Sequence, residues 1–406
     1  MSERSKRVLL AIGFIASVFG IAIGLYYAFF RPAGPEPTVE PGDEGGIGSL
    51  PTSEIAGERP ETTPTPGAGL PPAAEVAGGG RTVTTAITQG EVANVTLSGN
   101  GASVNFYNPN DGKFYTVDAD GNLVLLSETK FPSAENVVWN KDSNKAVVEF
   151  PDGSNVVYDF ETERQVTLPS HWEDFEFSPV SDELEAKSNA IDPNNRWLVT
   201  SNADGSNVKA FQALGENGDK VQVSWSPNDQ VVAFSDTAAS LSGGLDRKMI
   251  LPIGLNGENY RGLTVEGLEF LPNWAPDGKR LLYSVAGDYS SNKPLLWVAD
   301  ATPATMGENR HSLGLNTWAD KCTFTDSTTV YCAVPRSLPN NAGLQRVLYE
   351  NYADSVYKID IVENKVTLVA IPEEDVAMED LRISDDGATL YFVSGNDGTL
   401  QTIRLK

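Results

Sequence analysis

The residues of this 406-residue chain that could do chemistry are few: two cysteines and two histidines stand among 55 acidic and 30 basic side chains. Cys322 and Cys332 bracket the segment CTFTDSTTVYC at equal offsets from Ser327. That spacing predicts facing positions on the two strands of a hairpin. An oxidising compartment would join them, and a reducing one would leave two buried thiols. A bond closing so short a loop would contribute about 2–3 kcal/mol. His171 and His311 lie far apart in the chain. A histidine beside an aspartate could act as a general base, but no Gly-x-Ser-x-Gly nucleophile motif accompanies either. Both read as surface or packing residues. So few Cys and His also exclude a multi-histidine metal centre and a four-cysteine zinc site. Asp118-Ala-Asp-Gly-Asn122 begins like a calcium-binding loop, but its twelfth position is Thr129 and not an acid. It reads as a hairpin turn. Asn94-Val-Thr96 fits a glycosylation sequon placed on a predicted strand. No catalytic residue, metal ligand set or cofactor motif emerges, and the expectation is a protein that is not an enzyme and carries no cofactor.

Charge narrows the partners. The net charge is −25 and the pI is near 4.4. Nucleic-acid recognition needs a basic face, which this composition does not supply. Adsorption to anionic headgroups is disfavoured for the same reason.

Three segments then separate by composition. Residues 1–7 carry Arg4, Lys6 and Arg7, and Val8–Phe30 follows without a single charge. A helix of that length rises about 34 Å, enough to cross a hydrocarbon core of about 30 Å. Acids outnumber bases after the span, so the positive-inside bias predicts a cytoplasmic N-terminus, an extracytoplasmic C-terminal bulk and a single-pass cell-membrane protein. A cleaved signal peptide would have a shorter apolar core and a small-residue cleavage site. Ala16, Gly20 and Gly24 recur every four residues and could let two such helices pack as a dimer. Residues 31–80 read as a disordered stalk. From Pro32 to Gly80 there are 10 Pro and 11 Gly, with eight acids and one base. Such a stretch cannot bury a core and would act as a tether.

From Arg81 to Lys406 short runs of Val, Ile, Leu, Tyr, Phe and Thr alternate with Asn-Gly, Asp-Gly and Pro-Asp turns, which predicts an all-β domain. The unit repeats. Its clearest copies are Val223-Ser-Trp-Ser-Pro-Asn-Asp229, Asn273-Trp-Ala-Pro-Asp-Gly278 and Leu381-Arg-Ile-Ser-Asp-Asp-Gly387. Taking Ser98, Asn140, Ser178, Ser226, Ala275, Thr325 and Ser384 as equivalent gives spacings of 42, 38, 48, 49, 50 and 59. This is the size of a four-stranded propeller blade. Pro presets φ in the first turn, Asp or Asn closes local hydrogen bonds, and Gly supplies the positive φ that turns the chain back. The prediction is a seven-bladed β-propeller. Six blades is the alternative, because the 171–215 stretch is degenerate. Trp139, Trp225 and Trp274 share one position and should pack between blades. The last unit offers only three strands, so Thr82–Ile87 should supply the fourth and close the ring, since an open edge would invite aggregation.

These motifs resemble the WD40-like (PD40) repeat of TolB-type propellers over most of 82–406. TolB is similar in its six-bladed periplasmic propeller, but has a helical N-terminal domain where this chain has an apolar segment and a stalk. Prolyl-oligopeptidase-like enzymes pair such propellers with a catalytic α/β domain, which finds no counterpart here. Ser384-Asp-Asp-Gly-Ala-Thr389 loosely resembles the sialidase Asp-box, but its Gly is one place early, and it reads as the repeat turn.

Loop length is the informative asymmetry. Loops between second and third strands swell over Ser235–Arg247, Ala286–Lys293 and Pro335–Ala353. In a propeller they emerge on one face, and long loops on a rigid scaffold often carry function. That face should display Asp246, Arg247, Asp288, Tyr289, Arg336, Arg346, Tyr349 and Tyr352, of which Tyr and Arg are interface hot-spot types. The expected function is a binding or scaffolding module for a protein or cell-envelope ligand. The alternatives are unselected loop drift, a structural part of an envelope machine, or a propeller enzyme acting on sugar, lactone or peptide at a channel lined by acids.

Overall fold

The computed structural model describes residues 72–406 apart from 119–120, 243–245 and 259. The expected membrane span Val8–Phe30, its Ala16/Gly20/Gly24 stripe and most of the stalk lie outside the described residues. Among the described residues no helix is long and apolar enough to cross a membrane.

Seven sheets form seven blades over 93–125, 136–168, 172–213, 221–266, 268–312, 322–372 and 378–404. In each blade consecutive strands pair antiparallel in sequence order. First strands of neighbouring blades lie beside one another from blade 6 through blades 7 and 1 to blade 4, which makes them the innermost. The degenerate stretch builds blade 3, so the seven-blade prediction holds over six.

The seven residues aligned from sequence occupy one structural position, just after the innermost strand. Their backbone N–H groups close the same turn: Ser98 to Ser103 O at 2.9 Å, Asn140 to Lys145 O at 3.0 Å, Ser178 to Glu183 O at 2.8 Å, Ser226 to Val231 O at 2.7 Å, Ala275 to Arg280 O at 3.0 Å and Ser384 to Thr389 O at 3.0 Å. Blade 6 uses a turn one residue tighter, from Thr325 to Thr329 O at 3.0 Å. Three residues after the anchor the backbone is left-handed at Gly101, Ser143, Asp229, Gly278 and Gly387. Glycine takes that conformation without strain. Neighbouring turns are stitched to each other, as in Ser143 Oγ donating to Leu97 O at 2.6 Å and Asn228 Nδ2 to Gly278 O at 2.9 Å.

The core lies in the seams between blades. Trp274 stacks on Phe234 of blade 4 at 5.6 Å, and Trp139 meets Phe114 of blade 1 edge-on at 5.3 Å. Trp225 is almost wholly buried. Each indole N–H is satisfied: Trp139 by Asn94 O at 2.7 Å, Trp225 by Asp229 Oδ1 at 2.8 Å and Trp274 by Ser224 Oγ at 3.0 Å. These tryptophans are packing residues, as their shared position predicted.

Ring closure follows the sequence and adds a second tie. Thr85–Ala86 pairs antiparallel with Leu400–Arg404 and becomes the fourth strand of blade 7. Just upstream, Gly80–Thr82 adds parallel to Lys365–Pro372 as a fifth strand of blade 6. Residues placed in the stalk by composition are also docked: Ala74 N donates to Arg81 O, Ala77 N to Arg404 O and Gly79 N to Val369 O, each at 2.8 Å. Composition hides this docking because backbone groups hold it, and those need no side-chain pattern. Cys322 and Cys332 are register partners on adjacent strands of blade 6 and form a disulfide.

Candidate functional site

Antiparallel order sends the three long loops to one face of the ring, together with the blade-to-blade connections; the repeat turns occupy the other. On this loop face the chain builds three features.

The first is a knob. Loop 336–353 of blade 6 folds into two short 3₁₀ turns, Ala342–Leu344 and Arg346–Leu348. A small core of Trp318, Leu338 and Ala342 lies beneath them, with Leu271 and Tyr349 packed against it. The blade 5 loop is joined to it edge to edge: Asn341 N donates to Ser291 O and Gly343 N to Asn292 O, both at 2.9 Å. Gly343 is needed there, since a Cβ would stand 2.5 Å from that of Ala286. Arg346 lies over the Trp318 ring at 5.3 Å and pairs with Asp320 at 2.7 Å. This bracing leaves apolar side chains in water: Tyr289 is 80% exposed, Val347 77% and Leu348 64%.

The base of the knob is fixed by a buried ion pair. Lys321 Nζ and Asp354 Oδ2 stand 2.6 Å apart, almost fully enclosed, and the same oxygen accepts from Met378 N at 2.8 Å. Burial pushes the Asp354 carboxyl up, against the opposing pull of Lys321. Arg336 braces the loop from outside through Asp375 at 2.5 Å, Pro372 O at 3.1 Å and Asp354 O at 3.2 Å.

The second feature is the mouth of the central channel. Four residues before each anchor stand Asn94, Asn136, Asp174, Gln222, Leu271, Lys321 and Asp380, polar in every blade but the fifth. They sit on the innermost strands, except Lys321, which ends the 3₁₀ turn just before the first strand of blade 6, and neighbours touch: Asn94 Nδ2 donates to Asn136 Oδ1 at 2.9 Å. At Asn94, Asp174 and Asp380 the backbone is left-handed and the pairing register slips by a bulge. Carboxylates gather here. Burial raises Glu149, and repulsion from Asp174, Glu135 and Glu173 adds to it while the Asn136 amide opposes. Burial also raises Glu379; Lys321 and Arg346 oppose this, and Asp380 and Glu350 add to it. Glu350 and Arg346 belong to the knob, so knob and mouth are neighbours. Lys187 compensates part of the charge through Asp174 at 2.5 Å and Glu173 at 3.6 Å. Among the described residues no three acidic, His or Cys side chains gather in a way that could hold a metal ion.

The third feature is a cleft of about 430 Å³ between blades 4 and 5, lined by Lys220, Asp236, Lys248, Glu269 and Phe270 among others. Lys248 and Asp236 pair at 2.7 Å on its blade 4 wall.

The structure brings together Arg346, Tyr349 and Tyr352 in the knob, with Tyr349 and Tyr352 in edge contact at 5.6 Å. Asp288 and Tyr289 join them on the adjacent blade 5 turn, where Tyr289 leans on Trp297 at 6.1 Å. Arg336 is a brace. Asp246 and Arg247 stand apart at blade 4, where Arg247 pairs with Glu266 at 3.2 Å, a carboxylate shared with Arg310 at 2.9 Å. His171 is exposed, and His311 Nδ1 bonds Asn309 O at 2.9 Å; neither joins the loop-face features. Two groups escaped the sequence reading: the apolar tips Leu344, Val347 and Leu348, and the polar ring of the mouth. The ring had a signal, because the anchor alignment exposes it four residues upstream. The tips had none, since exposure of a Val or Leu in a loop is decided by what packs under it.

The chain resembles several solved propeller structures. It is similar to oligogalacturonate lyase from Vibrio parahaemolyticus (TM-score 0.55, 12% identity, 80% of this chain and 93% of that one). It is likewise similar to a structure of the mitotic checkpoint complex (0.54, 14%, 88% and 99%) and to the Cps50 (Swd1) β-propeller domain of Myceliophteria thermophila (0.51, 10%, 80% and 100%). At such identities the likeness shows the propeller fold alone. No protein-family model and no curated protein sequence matches the chain.

Proposed function

We propose that this protein is a membrane-tethered, extracytoplasmic propeller of the TolB-like (PD40) kind that binds a protein or cell-envelope ligand through its loop face. The sequence supports the tether and its orientation, the span Val8–Phe30 being its contact with the bilayer, with self-association through Ala16, Gly20 and Gly24 as part of the same reading. The disulfide supports an oxidising location. One observation carries the binding assignment: Tyr289, Val347 and Leu348 are held exposed by a braced loop. A loose loop could fold such side chains inward; this one is built to present them, and large apolar side chains that a rigid scaffold holds in water mark interaction sites.

The test is site-specific photo-crosslinking in the intact anchored protein, from position 347 and from position 363 on the opposite face. Discrete partners should be captured from 347 only, and be lost when a short turn replaces 336–353. Equal capture from both positions, or capture that survives the graft, would sink the assignment. A second reading, an enzyme acting at the channel, draws support from the carboxylates around Glu149 and Glu379 and from the cleft between blades 4 and 5. It requires turnover of a sugar, lactone or peptide that Glu149→Gln or Glu379→Gln abolishes.

A further inference from the structure

Resting on that binding reading, we propose that the loop face accepts a cationic amphipathic polypeptide segment of a partner protein, its apolar side chains on the knob and its Lys or Arg side chains over the channel mouth. The juxtaposition of the two features carries this. Apolar tips alone would accept any apolar surface, and acids alone would accept any counter-ion. Here Glu350 stands two residues beyond Leu348, its neighbour Asn351 and the Glu379 carboxylate of the innermost strand of blade 7 both lie against Gly395, and Glu350 and Asp380 both repel Glu379. In blade 2 the Glu149 carboxylate accepts from Asn136 Nδ2 of the innermost strand at 2.8 Å, and Glu135, Glu173 and Asp174 stand close enough to repel it.

The basic groups nearby are already committed. Arg346 is held by Asp320 and Trp318, Lys321 by Asp354, Arg336 by Asp375, and Lys187 by Asp174 and the Gly218 carbonyl. The mouth therefore keeps an excess of negative charge next to an apolar platform. A ligand complementary to both is basic and apolar at once. A zwitterionic lipid surface would satisfy the knob and leave the carboxylates without counter-charge. A cationic segment would supply counter-charge to carboxylates that repel one another at Glu149 and at Glu379, and neighbouring strands and turns pre-organise both halves of the site. Opposite charges at a partly enclosed mouth would also speed encounter, so the effect should weaken with salt.

The probe is a fluorescein-labelled Lys/Leu peptide with Leu at helical spacing, compared with its Glu/Leu counterpart. Anisotropy is read on full-length protein in phosphatidylcholine nanodiscs, with empty discs subtracted. The Lys/Leu peptide should bind, and the Glu/Leu peptide should not. Val347→Asp or Leu348→Asp should weaken binding about tenfold or more. Glu149→Gln with Glu379→Gln should weaken it about tenfold at 50 mM salt and little at 500 mM. Removing two acids from the opposite face, Asp277→Asn with Glu363→Gln, should change it less than twofold. Binding of both peptides that only the knob variants abolish would overturn the cationic assignment and leave the face assignment standing. Equal loss from mouth and opposite-face substitutions would reduce the effect to net charge and overturn the proposal. If a fluorophore at Val347→Cys is quenched by bilayer nitroxides while no peptide binds, the knob is a lipid-inserting device and the proposal fails.

Discussion

Raising the pH from 5 to 8 should loosen the ring at one seam, between blades 3 and 4. Glu176 and Glu185 are cross-strand partners in the first two strands of blade 3. Glu185 is fully buried, and neither carboxyl oxygen has a hydrogen-bond partner. Glu176 is partly exposed as a residue, yet its carboxyl is enclosed and accepts from Trp225 N of blade 4 at 3.0 Å. The one cation on this stretch of strand, Lys187, is committed to Asp174 and to the carbonyls of Gly218 and Val221. Burial pushes Glu176 up to about 7. Burial, then the charge of Glu176, raises Glu185 well above the usual carboxylate range. In the unfolded chain both ionise near 4.5; in the fold both hold their protons longer. The folded state therefore binds more protons across this window. Stability is greatest below the unfolded value, and falls as pH rises through 4.5 toward the folded values. For Glu176 alone the shift from 4.5 to about 7 corresponds to about 3 kcal/mol at 1.36 kcal/mol per unit. Unfolding entropy near 2.1 cal/mol/K per residue over residues 72–406 turns that into about 4 °C. The assay is thermal unfolding of the full-length protein at pH 5 and 8, with Glu176→Gln and Glu185→Gln beside the wild type. All other titrating groups are shared, so the gap between wild type and variant isolates this pair. Glu176→Gln should gain about 4 °C on the wild type between the two pH values, and Glu185→Gln should gain in the same direction. Parallel melting curves across that range would refute the reasoning.

Other predictions concern the scaffold. Lys321→Met or Asp354→Ala leaves the other charge buried alone and should cost about 3–5 kcal/mol, while replacing both with apolar residues should cost far less; urea unfolding distinguishes the two outcomes. Deleting the chain through Ile87 removes both N-terminal strands, opens blades 6 and 7 and should lower the cooperative melting transition of the whole ring, which differential scanning calorimetry would show. Reducing Cys322–Cys332, or replacing both with Ser, should cost about 2–3 kcal/mol by denaturant titration without altering the fold seen by circular dichroism.

The architecture was legible because each blade repeats the same local problem. Seven turns need a residue whose N–H closes back on the strand, and five of them a left-handed residue three places on, so Ser98, Asn140, Ala275 and their equivalents announce the blades. Alternating runs announce the strands, and the missing fourth strand of the last unit announces the closure at Thr85–Ala86. Equal offsets from Ser327 announce the disulfide. These are properties of short stretches of chain, and short stretches carry them in full.

Other features are set by parts of the chain that are distant in sequence. Arg336 and Arg247 look like binding residues in isolation, but Asp375, on the connection between blades 6 and 7, and Glu266, on the last strand of blade 4, pair with them as braces. Val347 and Leu348 look like core residues, but the Trp318–Leu338–Ala342 core fills the space beneath them and leaves them in water. The carboxylates around Glu149 come from blades 2 and 3 and those around Glu379 from blades 6 and 7, each group assembled by the packing of neighbouring blades. Sequence alone thus determined the repeat, its strands and its closure, because turn and pairing energetics are local. Only the tertiary structure decided which charges are spent on bracing and which face a partner, because charge neutralisation and burial depend on neighbours that the chain order does not name.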